Sequence, residues 1–259
     1  MLPECLRTAM SLLAPSLLFA PGSLATQLAV RTFYEKIPWY LWIWIVVVIV
    51  TSCVELLIDP ERARSKKIEA MASSLSLTFR CKPTEADKGL AIGCYLTGAG
   101  FDRFVSNVIE AAHTEELDLT LFDYQYTLGK GKSSTRGRQT IARMQSPFLK
   151  LPKFILFPED FFAKMGKMLG RSDINFPESP EFSKKYVLRG EDESATRAIF
   201  SPALRQALEP LQHLTVEGAA DLLFVFRTEH RTEPEELSAS IEEDKRILAL
   251  FVEAQRSSA

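Results

Sequence analysis

The chain has 259 residues, with 31 basic against 33 acidic side chains. That balance argues against general nucleic-acid binding, which calls for a strongly basic face. The four cysteines, Cys5, Cys53, Cys81 and Cys94, show no short paired spacing, so they read as reduced thiols and not as a disulfide framework.

Ala9 to Val30 is an uncharged run of 22 residues interrupted by Pro15, Pro21 and Gly22. Three readings stand side by side. It is a first transmembrane helix joined to a second through Arg31 to Ile37, a signal peptide headed by Arg7, or an interfacial lead.

The next stretch, Trp39 to Ile58, carries no charge, proline or glycine as far as Val54. Twenty helical residues reach roughly 30 Å, the thickness of a bilayer's hydrocarbon core. Only a helix lets one segment satisfy its own backbone there. Trp39, Tyr40, Trp42 and Trp44 crowd its first turns, and such amphipathic rings favour a membrane–water interface. The expectation is a membrane region over 1–58 with a transmembrane helix at 38–58 and a possible first hydrophobic segment at 9–30. A buried core helix is the bland alternative. Arg62, Arg64, Lys66 and Lys67 follow the span, against Arg31 and Lys36 before it. The more basic flank stays in the cytoplasm, which predicts that the C-terminal part is cytoplasmic.

A juxtamembrane helix is expected over 59–77, with Ile68, Met71, Ala72 and Leu75 recurring at helical steps. Thr78 to Cys81 can begin a strand, and Pro83 to Leu90 is polar. The run AIGCYLTGAG lacks the spacing of a dinucleotide-binding loop. Phe104 to Ala112 reads as a strand and His113 to Glu116 as a turn.

Leu117 to Tyr126 is the clearest strand. Its apolar residues begin on odd positions (Leu117, Leu119, Leu121) and move to even ones (Phe122, Tyr124, Tyr126). Side chains alternate between faces, so the change demands a bulge or a strand covered on both sides. Asp123 lies at the change. A carboxylate satisfying a local backbone group is the plainer reading there, a catalytic one the sharper.

Thr127 to Gly137, TLGKGKSSTRG, is a loop, and Arg138 to Met144 returns as a strand. Gly131-Lys132-Ser133 resembles the end of a phosphate loop, but Tyr126 stands where that pattern needs glycine and a strand follows where it needs a helix. What remains is a hairpin tip carrying Lys130, Lys132, Arg136 and Arg138, solvated or facing an anionic surface.

Pro152 to Phe157 reads as a strand and Pro158 to Leu169 as a short helix. Phe148, Phe154, Phe157, Phe161, Phe162 and Phe176 make ordinary core or an adaptable apolar surface. Asn175 to Phe182 is a proline-containing connection. Lys185 to Arg189 is a strand, Glu191 to Phe200 a helix, and Ser201-Pro202 caps another. Leu214 to Glu217 and Leu222 to Arg227 form a hairpin around Gly218. Thr232 and Glu235 fit a capping box for a last helix to about Gln255. The 78–259 region is therefore predicted as an α+β domain with an antiparallel or mixed sheet and flanking helices.

His113, His213 and His230 have no neighbours at metal-ligand spacing, and no nucleophile-elbow or zincin motif occurs. The sequence calls for no cofactor and supplies no catalytic residue.

The stretches LFDYQYTLGKGKS with RQT, LPKFILFPE, and FPESPEFSKKYVLRGEDESATRAIFSPAL cover about Leu121 to Leu204. They resemble an uncharacterised family of bacterial membrane-anchored proteins carrying a domain of unknown function. That resemblance implies hydrophobic helices ahead of a cytoplasmic α+β domain and no established site. The expected function is a membrane-anchored interaction domain, a scaffold or sensor with a protein partner. The alternatives are a lipid-surface module using Lys130, Lys132, Arg136 and Arg138, and a membrane-tethered hydrolase with a dispersed site.

Overall fold

The computed structural model describes residues 38, 40–41, 43–48, 59–91, 101–128, 134–161 and 173–258. The chain divides into two compact units, Met1–Pro60 and Glu61–Ala259. In the first, Tyr40, Leu41 and residues 43–48 are helical, and Tyr40 and Trp44 are exposed. Among the described residues no helix is long and apolar enough to cross a membrane. Most of the 38–58 stretch, including Trp39 and Trp42, and all of 9–30 lie outside the described residues.

The second unit is α+β. Its elements are α1 (Pro60–Ser74), β1 (Thr78–Arg80), β2 (Phe101–His113), β3 (Asp118–Leu128), β4 (Thr135–Gln145) and β5 (Leu151–Pro158). There follow α2 (Pro180–Lys185), β6 (Tyr186–Gly190), α3 (Glu193–Ile199), α4 (Pro202–Leu208), β7 (Leu214–Ala220), β8 (Leu222–Arg227) and α5 (Leu237–Ser258). The strands form one 8-stranded sheet in the order β1-β2-β3-β4-β8-β7-β5-β6. Every pair in it is antiparallel.

The parity change in β3 is explained by burial on both faces. Leu119 and Leu121 join the larger apolar cluster, which also holds residues of α1, α3, α4 and α5. Phe122, Tyr124 and Tyr126 join a second cluster on the opposite face, with Ile141, Phe157 and Phe226. β3 itself pairs with β4 without a break, and the irregularity lies in its other neighbour, β2. There Ser106 faces Asp123 and Ile109 faces Leu121, so Asn107 and Val108 stand opposite the single Phe122. Asn107 takes the left-handed conformation, φ 51°, that such a bulge needs.

On the helical face the phenylalanines of the 148–182 region are core. Phe154 stacks on Phe251 of α5 at 5.6 Å and meets Phe200 edge-on at 5.1 Å. Phe148 is exposed and Phe162 lies outside the described residues. Ser201 caps α4 as the sequence predicts, accepting from the N–H of Leu204, while Asp192, expected inside its helix, caps α3 by accepting from the N–H of Ala195.

Three local expectations are corrected. Pro158 ends β5, because its pairing with Tyr186 extends the ladder, and the helix expected from Pro158 starts one residue later, with 159–161 helical. The β7–β8 turn is Ala220-Asp221, with Ala220 at φ 55°, while Gly218 lies inside β7. Glycine is needed there because a Cβ would fall 2.3 Å from the Phe154 ring. The Thr232–Glu235 capping box does not form. A short 3-10 turn at Pro234–Glu236 precedes α5, and the Thr232 backbone is committed to Thr140 and Arg64.

Candidate functional site

Asp123 has the same strand parity as Leu119 and Leu121, so β3 aims it at the face that carries the helices. A buried carboxylate is costly unless donors surround it. Arg64 of α1 supplies Nε at 3.1 Å and a second guanidinium N–H at 3.3 Å. Asn107 Nδ2 donates at 3.0 Å and Thr140 Oγ1 at 2.7 Å. The β2 bulge is what turns Asn107 toward this point, and Ser65 of α1 donates to its Oδ1 at 2.7 Å. The carboxylate therefore satisfies side chains from three other elements, not the local backbone group that the sequence favoured.

The same constellation holds the chain after β8. Arg64 donates to Thr232 O at 2.7 Å and lies 3.7 Å from Glu233. Thr232 N–H donates to Thr140 Oγ1 at 3.0 Å, and Thr140 N–H to His230 O at 3.0 Å. One turn earlier in α1, Glu61 accepts from Arg138 and from Arg231, each at 2.6 Å. Arg138 also donates to Gln125 Oε1 at 3.1 Å. The first turns of α1 are thus fastened to β3, β4 and the 228–236 segment by charge-assisted bonds, the stronger class of hydrogen bond, and to β2 by the neutral Ser65–Asn107 bond.

Two small cavities border this network. One is lined by Arg64, Asn107, Asp123 and Thr140 beside Ile68 and Leu237, with a volume of about 10 Å³. The other, also about 10 Å³, lies between β4, β8 and α5 and is bounded by Thr140, His230, Thr232, Ser240 and Asp244. Each has room for about one water. Asp244 is buried in α5, and that burial pushes its carboxyl up to about 8; nearby Glu243 adds to the rise and Arg227 opposes it.

A second buried carboxylate fastens the outer strand. Asp87 accepts from Arg80 at 2.7 and 3.1 Å and from Thr84 N and Oγ1 at 2.8 and 2.9 Å. Arg80 also reaches Glu110 of β2 at 2.5 Å. Among the described residues no group of three or more His, Cys, Asp or Glu side chains comes together as a metal site. The three histidines stand apart from one another, His113 beside Asp118 at 4.0 Å and His213 beside Asp160 at 3.6 Å.

Of the predicted anionic-surface residues, Lys130 and Lys132 lie outside the described residues. Arg136 is exposed on β4, and Arg138 is spent on Glu61 and Gln125. Of the interface aromatics, Tyr40 and Trp44 are exposed on the helical residues of the first unit. Reasoning from sequence missed Glu61, Arg64, Asn107, Thr140, Arg231 and Thr232. The available signal was Glu61 and Arg64, three apart on a helix and bound to share a face. Arg64 was read only as part of a basic flank.

No family model matches the sequence, and no curated protein matches it. Among solved structures the chain is similar to the mycobacterial trehalose monomycolate transport factor A, TtfA. The TM-score is 0.52 at 9% sequence identity, over 75% of this chain and 96% of that one. At that identity the likeness speaks for the fold.

Proposed function

We propose that this chain is a bacterial inner-membrane protein whose cytoplasmic α+β domain serves as an accessory module, a scaffold or sensor that binds a membrane transport protein. The observation that carries the reading is the fastening of α1. The helix that directly follows the hydrophobic 38–58 stretch is joined to the sheet through the buried Arg64–Asp123 pair and the Glu61 bridge to Arg138 and Arg231. A helix fastened to its own domain by buried ion pairs suits a module that must hold its partner at a fixed place or pass on a displacement. The transport factor's fold, spanning three quarters of the chain, adds the transport class as the first partner to test.

The test is purification of the tagged full-length chain from detergent-solubilised native membranes. A polytopic transport protein should co-purify in near-stoichiometric amount, and its recovery should fall in an Arg64→Met variant. Recovery of the chain with no integral membrane protein in fixed ratio would sink the proposal. So would release of the chain from membranes by alkaline carbonate, which strips peripheral proteins and leaves spanning helices in the bilayer.

A further inference from the structure

The sheet end at which α1 begins also carries two large exposed aromatic side chains, Phe101 at 43% and Phe104 at 54% exposure. Cross-strand partners share a sheet face. Phe104 pairs with Gln125, which pairs with Arg138, and Phe101 pairs with Thr127, which pairs with Arg136. The Gln125–Arg138–Glu61 contacts fix this as the α1 face. Two adjacent rows thus place Phe101, Phe104 and Arg136 beside the first turn of α1, where Arg62 is exposed too. Arg103 and one acid, Asp102, are exposed between the two rings.

An exposed aromatic pair at a strand edge invites either another strand or an apolar surface. β1 covers β2 only from Val108 to Glu110, with Asn107 N–H bonded to Cys81 O, so 101–106 is an edge among the described residues. That edge is poorly formed for strand addition. Its register breaks between Phe101 and Phe104 and again after Ser106, and Asp102 and Asn107 both take positive φ. Bulges of this kind turn backbone groups out of line and blunt an edge. What the edge presents is side chains, two rings framed by arginines.

We infer that Phe101 and Phe104 enter the interface of an anionic lipid bilayer, with Arg62 and Arg136 meeting its headgroups. This rests on the tether reading above. Only Asp59 and Pro60 lie between Ile58 and Glu61, and a chain extends at most ~3.6 Å per residue, so Glu61 stays within roughly 11 Å of the end of the hydrophobic stretch. Basic side chains next to exposed aromatics are the composition that binds anionic membrane surfaces.

The test is amide hydrogen exchange on the full-length chain in nanodiscs of phosphatidylglycerol or of phosphatidylcholine. Amides of residues 101–106 that are not bonded to β3 should exchange about tenfold more slowly in the native chain in phosphatidylglycerol than in a Phe101→Ser/Phe104→Ser variant, since the open edge of β2 gains protection only where the bilayer covers it. The difference should shrink in phosphatidylcholine and in an Arg62→Glu/Arg136→Glu variant. Residues 139–145 of β4 report that each variant is folded. Equal exchange in native and Phe-substituted chains, or full protection in the charge-reversed variant, overturns the inference. So does protection in native vesicles but not in protein-free nanodiscs, which assigns the surface to a protein. Alkaline extraction of the chain from membranes separates failure of the tether from failure of this surface.

Discussion

Arg64 and Asp123, 59 residues apart in sequence, form a two-bond ion pair with side chains only 10% and 7% exposed. Two charges taken out of water lose hydration that their attraction restores only with good geometry and further hydrogen bonds. Asn107, Thr140 and Thr232 supply those bonds here. Arg64→Met leaves the carboxylate without its counter-charge and should cost about 3–5 kcal/mol. Replacing both partners in Arg64→Met/Asp123→Leu should cost less than the two single changes added together. A double-mutant cycle on urea midpoints measures this, and additive losses would mean the two side chains do not act as a pair.

The same pair should govern how firmly α1 is held. Arg64→Met removes one clamp while Glu61 keeps Arg138 and Arg231. Amides of 61–70 should then exchange faster while those of β4 and β7 stay protected. Loss of protection throughout would show that α1 opens only with the whole domain.

Gly218, the glycine of β7, is predicted to resist replacement. Its missing Cβ leaves space for the Phe154 ring and for Leu151, which would lie at 2.3 and 3.0 Å from an added carbon. Phe154 is held in turn by Phe200 and Phe251, so it has little room to move. Gly218→Ala should destabilise by about 1–3 kcal/mol, the usual cost of overpacking. Gly218→Ala combined with Phe154→Leu should recover part of that loss, measured as thermal midpoints.

Hydrophobic period made the elements legible. β3, β8, α3 and α4 stand within a few residues of where alternation and capping residues put them, and the antiparallel pairing of β2 with β3, β3 with β4 and β7 with β8 follows from short connections. The odd-to-even change around Asp123 correctly demanded either two-sided burial or a bulge. Two-sided burial proved right for β3, and the bulge fell on β2, where Asn107 gives no pattern to read. The network itself was illegible because each of its bonds joins residues far apart in the chain. Arg64 looked like any cation beside a membrane, and Thr140 and Thr232 like any threonine. Gly218 misled because glycine marks both turns and close ring approaches, and only the position of Phe154 tells them apart.

Two buried acids should give the domain opposite responses to pH. Burial holds the Asp244 carboxyl at about 8, so the folded chain keeps a proton that the unfolded chain releases near pH 4. That contribution is complete below about 4 and is lost as pH rises toward 8. Asp87 runs the other way. Burial by itself raises its carboxyl, but the bonds from Arg80 and Thr84 outweigh it and hold it below the ordinary value. Its contribution is present above the ordinary carboxylate range and is lost as pH falls through its lowered value. Between pH 5 and pH 8 the native chain should therefore lose thermal stability. Asp244→Asn should flatten that slope and be the more stable chain at pH 8. Asp87→Asn should be less stable than the native chain at pH 7, with the gap closing in acid. Parallel curves for native and Asp244→Asn chains across pH 5–8 would show that Asp244 is ionised in the folded state and that its cavity holds enough water to solvate it.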